Sequence, residues 1–263
     1  MNIEIKDVQE ENIFDLINLC IPKDKKDDSL FIEGFNKKFR WCKDILNKYN
    51  FFAKIAYVNR KPKGLIQYLI KPEENIVEIK CIFVSEEEFL RKGIGKSLLF
   101  SLMNDFEKPN KFFNNEKPGG FINFPIDIPG RYTQSEFFKR YGFIEKIQNE
   151  FRYLFYPIKE NFTYSLKESE YRPQICDKGK AIVFYDPSCP FCIYFSNKII
   201  QILKEINSKI EIRLINQFEE KIEVEKRGKI YNCIVNQIPI KTFFLDIENF
   251  KKEVLDALKI DNI

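Results

Sequence analysis

Apolar residues recur at steps of three and four in two early stretches of the chain. Residues 9–20 carry Ile13, Phe14, Leu16, Ile17 and Cys20, and Ser29–Tyr49 carries Phe31, Phe35, Phe39, Cys42, Ile45 and Leu46. Both patterns predict amphipathic helices, with the Lys- and Asp-rich residues 23–28 as the loop between them. The period then shortens. Residues 51–58 and 65–70 are aromatic and β-branched, with turn chemistry at residues 59–64. A second turn at residues 71–75 leads into Ile76–Val84. Three strands joined by turns are predicted. In the third, Val77, Ile79, Cys81 and Phe83 alternate with Glu78, Lys80 and Ile82, which predicts one apolar and one mostly polar face.

A glycine pair opens the next helix, Arg91-Lys92-Gly93-Ile94-Gly95-Lys96-Ser97, with an apolar stripe of Ile94, Leu98, Leu99, Leu102, Met103 and Phe106. Residues 107–120 read as a loop, 121–124 as a short strand, 135–140 as a short helix and 151–156 as a strand. Residues 159–178 are polar and aperiodic and read as a linker. Beyond it the predicted order is strand (Lys180–Tyr185), helix to about residue 206, strand (210–215), a polar helical or loop segment, strands near 229–235 and 240–245, and a final helix (248–258). Pro239 is expected in the turn between the last two strands.

Composition narrows the chemistry more than the fold. A length of 263 residues favours two domains, and 44% hydrophobic residues suffice for a core in each. The chain contains no histidine. That excludes Ser-His-Asp triads, Cys-His pairs and imidazole zinc sites, so a general base must be a carboxylate, a thiolate, a Tyr, a Lys or a water chain. A net charge of only +4, with both signs mixed along the chain, gives no basic stripe, and no nucleic-acid partner is expected. No run approaches the roughly 18 apolar residues of a membrane span, and the first residues lack a secretory signal, so a cytoplasmic protein with no membrane partner is expected. Seven cysteines, sparse except for one close pair, do not form a disulfide framework. Cys20, Cys42 and Cys81 read as core thiols and Trp41 as a packing residue. No metal is expected.

Glycines at a helix start let the backbone come close to a ligand, and the free amides and dipole of the first turn favour a phosphate there. Lys92 and Lys96 add positive charge. The spacing fits neither a dinucleotide-binding fingerprint nor a Walker loop.

The order of elements around this loop resembles the GNAT acyltransferase superfamily, whose [Q/R]-x-x-G-x-[G/A] motif follows the fourth strand. Phe137-Phe138-Lys139-Arg140-Tyr141-Gly142-Phe143 resembles the F-Y-x-K-x-G-F ending of that family's last helix. The resemblance implies a mixed, largely antiparallel sheet with flanking helices over residues 1–158. It also implies transfer of an acetyl group from acetyl-CoA to an amine. The pyrophosphate would sit on the amides of Arg91, Lys92, Gly93, Ile94, Gly95 and Lys96, and the pantetheine arm would pair with the backbone of Phe83 and Val84. Leu90 stands at the family's Q/R position, and Phe138 at the place of the Tyr that often protonates the leaving thiolate. The acid is then Tyr141, Tyr132, a Cys or water. Glu78, on the polar face of its strand, is the candidate base.

Cys189-Pro190-Phe191-Cys192 follows a strand and opens a helix, where the dipole lowers a thiol pKa and favours disulfide exchange. The segment resembles the thioredoxin/glutaredoxin superfamily, and the whole chain resembles GNAT proteins with a C-terminal YoaP-like domain. An α/β chain is therefore expected: a GNAT domain (1–158), a linker (159–178) and a smaller thioredoxin-like domain (179–263). No Pro stands in residues 223–228, where that superfamily places a cis-Pro, which weighs against redox chemistry. The expected function is acetyl-CoA-dependent N-acetylation of a small amine or amino-acid-like acceptor. The alternatives are thiol-disulfide exchange through Cys189 and Cys192 on a degenerate scaffold, and non-catalytic CoA binding.

Overall fold

The computed structural model describes residues 1–125, 127, 133–148, 151–167, 170–228 and 233–259. The chain divides into two compact units, one of Met1–Cys20 with Cys42–Leu166, the other of Ile21–Trp41 with Lys167–Ile263. Among the residues expected to form a linker, Phe162, Tyr164 and Leu166 pack within the first unit and Tyr171 within the second.

The first unit opens with a strand that the hydrophobic pattern did not predict, β1 (Ile3–Asp7), followed by helix α1 (Ile13–Cys20). Helix α2 (Ser29–Tyr49) follows, its residues 42–49 counted in this unit and 29–41 in the second, then strands β2 (Ala53–Val58), β3 (Lys61–Lys71) and β4 (Ile76–Val84). Asn59 and Arg60 both have positive φ, the conformation of a two-residue hairpin turn, so β3 starts four residues earlier than residue 65. Helix α3 (Ile94–Phe106), strand β5 (Gly120–Asn123), helix α4 (Gln134–Arg140) and strands β6 (Ile144–Gln148) and β7 (Phe151–Pro157) complete the unit. The seven strands form one sheet in the order β1-β2-β3-β4-β5-β7-β6, antiparallel except for the β4/β5 pair. β6 is a second unpredicted strand. It lies at the sheet edge with Ile144 and Ile147 exposed, so it carries no buried apolar face to read.

On one face of this sheet Ile66, Tyr68, Val77, Ile79, Phe121 and Leu154 meet Leu98, Leu99, Leu102 and Phe106 of α3 and Phe138 of α4. Lys54 of β2 is also buried, with its charge paired. Its ammonium lies 2.6 Å from both Asp7 and Asp105, tying β1, β2 and α3 together.

The second unit contains β8 (Lys180–Tyr185), α5 (Cys192–Ile206), β9 (Glu211–Asn216), α6 (Lys221–Arg227), β10 (Cys233–Val235), β11 (Ile238–Ile240) and α7 (Ile247–Lys259). Its sheet runs β11-β10-β8-β9, with β8 and β9 parallel and the other pairs antiparallel. The expected place of Pro239 needs correction. The turn is Asn236-Gln237, both with positive φ, and Pro239 pairs with Ile234 on β11, an edge strand that tolerates a missing amide donor. Fully buried Arg227 clamps Asp177 through two hydrogen bonds of 2.7 and 2.6 Å.

Candidate functional site

The site of the first unit is built on a fork in its sheet. The parallel β4/β5 ladder runs from Ile76↔Gly120 to Ile79↔Asn123 and ends there, while β4 continues through Lys80 to Val84 paired only with β3 among the described residues. Past the fork, among the described residues, no strand pairs with the side of Ile82, Phe83 and Val84 that faces away from β3, the arrangement that accepts an extended ligand by strand-like hydrogen bonding.

The fork coincides with a bulge. Gln67 pairs with Cys81 and Tyr68 with Ile79, leaving Lys80 as the extra residue on β4. The bulge reverses the alternation expected from the sequence. Val77 and Ile79 face α3, but beyond Lys80 that face is taken up by Ile82 and Val84, and Cys81 and Phe83 turn to the opposite side. Phe83 is consequently 40% exposed instead of buried.

Asn123 closes the root of the fork. Its Nδ2 donates to the Ile79 carbonyl at 2.8 Å, replacing the next rung of the ladder with a side-chain bond. Its Oδ1 is buried with no hydrogen-bond partner among the described residues. Such an atom costs about 1–3 kcal/mol unless something donates to it. Nothing in the sequence marked Asn123, because a polar residue at a strand end usually signals only a turn.

At the far end of this half-strand, Ser85 donates from its backbone to Lys63, and the Lys63 ammonium bonds Glu86 at 2.7 Å, which fixes the loop. Arg91 (φ 58°) and Gly93 (φ 86°) both take left-handed conformations, and Gly93, the N-cap of α3, has no side chain of its own to accept from the first-turn amides. Those amides of Ile94, Gly95 and Lys96 are the ones expected to meet an anion. The two glycines differ in purpose. A Cβ on Gly93 would meet nothing within 4 Å, so this side is open to a ligand. A Cβ on Gly95 would lie 3.1 Å from the Phe137 ring, so what Gly95 lets approach is α4. Lys92 and Lys96 extend from the loop, their ammonium groups 5.9 and 5.5 Å from the rings of Phe89 and Phe100.

Tyr141 follows α4 and belongs to the same cluster. Its ring packs edge-on against Phe100 (5.6 Å) and Phe137 (5.1 Å), and Phe137 covers Gly95. Phe138 is fully buried against Phe143 and serves the core. Tyr132 lies outside the described residues.

Glu78 sits apart from this cluster, on the opposite face of the sheet and one residue short of the fork. It is 7% exposed, with Lys71 at 2.7 Å and Lys80 at 3.4 Å. Burial pushes its carboxyl up, but the charges and hydrogen bonds of Lys80 and Lys71 outweigh this and hold it below the ordinary Glu range. An ionised carboxylate held this way is a weak proton acceptor, and its charge is met by Lys71 and Lys80. The sheet separates Glu78 from Tyr141, so the two can act on one ligand only through the fork.

In the second unit, Cys189 is exposed and Cys192 is buried in the first turn of α5. Among the described residues no group of three or more Cys, Asp or Glu side chains is placed to hold a metal ion. No helix there is long and apolar enough to cross a membrane.

No family model matches the chain, and no curated protein matches it. The solved structures it resembles include acetyltransferases. The PaiA N-acetyltransferase of Thermoplasma acidophilum, solved with coenzyme A, is 18% identical over 59% of this chain and 98% of its own, with a TM-score of 0.42. A GNAT-family acetyltransferase of Staphylococcus aureus is 18% identical over 60% of this chain and all of its own, with a TM-score of 0.43. The ribosomal-protein-S18-alanine N-acetyltransferase of Escherichia coli is 12% identical over 62% of this chain and all of its own, with a TM-score of 0.40.

Proposed function

We propose that the first unit is an acetyl-CoA-dependent N-acetyltransferase acting on a small amine. The observation that carries this reading is the fork. Among the described residues, a half-strand that pairs on one side only leads to a helix N-terminus capped by a glycine and begins at a buried oxygen that lacks a donor. A ligand with a phosphate at one end and an amide-bearing extended arm matches all three features. Bound acetyl-CoA supplies an activated thioester.

The chain's own groups have distinct tasks in this reading. The amides of Ile94, Gly95 and Lys96, with Lys92 and Lys96, hold the pyrophosphate. The backbone of Phe83 and Val84 pairs with the extended arm. The Tyr141 hydroxyl donates a proton to the leaving sulfur, and water takes that role if the hydroxyl is removed. Glu78, the candidate base of the sequence, is already paired with Lys71 and Lys80, so the proton lost from the acceptor passes to water.

Residues 179–263 are read as a thioredoxin-like module of the YoaP-like kind, supported by the β-α-β-α-β-β-α order and the β11-β10-β8-β9 sheet. Non-catalytic CoA binding is the second reading, favoured by the burial of Phe138 where a proton donor would stand. Incubating the full chain with acetyl-CoA and a panel of primary amines, with products identified by mass spectrometry, separates the two. N-acetylated product supports transfer; binding with no product from any amine supports the second reading.

A further inference from the structure

The Cys189–Cys192 segment has no part in the proposed transfer, and its surroundings give it a role of its own. The N-terminal part of α2, residues 29–41, belongs to the same compact unit as this motif and is seated directly on it. A Cβ built on Gly34 would stand 2.0 Å from the Pro190 carbonyl oxygen, so the helix backbone rests against the loop between the two cysteines. Phe31 packs edge-on against Phe191 at 5.0 Å and lies 5.4 Å from Tyr194. Leu30 packs with Tyr185, Cys192 and Ile193. The Lys37 ammonium lies 5.7 Å from the ring of Tyr185, the last residue of β8.

All seven cysteines are thiols in this structure. The backbone amide of Cys192 donates to the Cys189 carbonyl at 3.1 Å, the tight turn that brings a C-x-x-C pair within bridging range. The pair is asymmetric. Cys189 is exposed, whereas burial, with Cys189 and Asp186 nearby, pushes the Cys192 thiol up to about 12. An exposed sulfur that meets the oxidant and a buried one that attacks only once its target is adjacent suit a two-step exchange. Both contact points with α2, the Pro190 carbonyl and the Phe191 ring, lie inside the ring that a Cys189–Cys192 disulfide would close.

We propose that Cys189 and Cys192 form a reversible dithiol/disulfide site for low-molecular-weight disulfides, and that residues 29–41 of α2 register its state. The Cys189 thiolate attacks one sulfur of a disulfide RSSR, forming the mixed disulfide and releasing RS⁻. The Cys192 thiolate then attacks the Cys189 sulfur, closing the intramolecular bond and releasing the second RS⁻. The two thiol protons end on the two RSH molecules, and two electrons pass from the protein to RSSR. Closing the ring draws the exposed Cys189 sulfur inward and moves the loop under Gly34 and Phe31.

Trp41 is the single tryptophan of the chain. It is buried in this segment with its ring edge-on to Phe218 at 5.6 Å, and it reports locally. The test equilibrates the full chain with reduced and oxidised glutathione mixtures. It maps disulfides by peptide mass and follows Trp41 fluorescence and hydrogen exchange of residues 29–41. The expected result is a Cys189–Cys192 bridge whose formation tracks the fluorescence change. Exchange should rise about tenfold in the oxidised form, the factor carried by loss of one aromatic pair at the upper end of its range. Cys192→Ser should stop at a glutathione mixed disulfide on Cys189 without that change, and Cys189→Ser, altering an exposed side chain, should show neither. A chain that forms no such bridge at any ratio overturns the proposal, as does one that forms it with unchanged fluorescence and exchange. Acetyl transfer is not measured at any point, so either outcome leaves that reading standing.

Discussion

Gly34→Ala offers a direct test of whether α2 is seated on the Pro190 loop, because two effects of known size oppose each other. Inside an ordinary helix, alanine is more favourable than glycine by about 0.8–1.0 kcal/mol. Gly34 lies inside a 21-residue helix, so on propensity alone the variant should be more stable. The added Cβ, however, would stand 2.0 Å from the Pro190 carbonyl oxygen. That neighbour is backbone and cannot rotate away, so helix or loop must shift by more than an ångström. Overpacking of this kind costs about 1–3 kcal/mol, and more where the obstacle is rigid. The net is a loss of roughly 1–2 kcal/mol, or a fall in Tm of about 5 °C. Gly95→Ala is the control. Its Cβ would lie 3.1 Å from the edge of the Phe137 side chain, which can give by a few tenths of an ångström, so its stability should stay within about 1 kcal/mol of the parent. Urea unfolding followed by Trp41 fluorescence and by circular dichroism reads both variants. A Gly34→Ala protein as stable as the parent, or more so, would refute the seating.

Four further outcomes are expected. Asn123→Leu removes the orphaned oxygen and the bond to Ile79 together; acetyl-CoA affinity should fall about tenfold by calorimetry while the cost in stability stays below about 2 kcal/mol. Tyr141→Phe should lower kcat by up to about 100-fold with acetyl-CoA Kd unchanged, whereas a matching change in Kd would assign the hydroxyl to binding. Phe138→Tyr should not raise kcat, because a hydroxyl in that fully buried position points into the core; urea unfolding should show a loss of about 1–3 kcal/mol. The folded-state pKa of Glu78 lies below its unfolded value, so its contribution to stability is present above about pH 5 and is lost as pH falls through the folded pKa. Glu78→Gln should therefore flatten the acid limb of a stability-against-pH curve, and an unchanged limb would show that the two lysines do not hold the carboxylate.

Long periodic segments were legible in the sequence because burial enforces their period. The α3 stripe and the span of β4 are the ones read from the pattern. Where a second force interrupts the period, reading fails. The bulge at Lys80 is invisible in a list of residues, yet it turns Phe83 outward and Ile82 inward. β1 and β6 are short sheet members with mostly exposed side chains, so neither shows a continuous apolar face. The stretch read as a linker holds Phe162, Tyr164 and Leu166, which cover Ile76, Ile122, Tyr153 and Phe155. Three apolar residues at alternate positions are too few for a period but enough to bury. Of the candidate site, the glycine turn and Tyr141 were readable from motif spacing. Asn123, and the lysines that lower the Glu78 pKa, become visible only when β4 pairs with β3 and β5.

The central claim is that the fork and the α3 N-terminus together bind acetyl-CoA. Calorimetric titration of the full chain at neutral pH tests it most directly, repeated on a Lys92→Glu/Lys96→Glu variant whose two exposed changes leave the core untouched. Roughly micromolar binding that weakens tenfold or more in the variant, and weakens with added salt, is the predicted result. No heat of binding from either protein, or equal affinity for both, would contradict it.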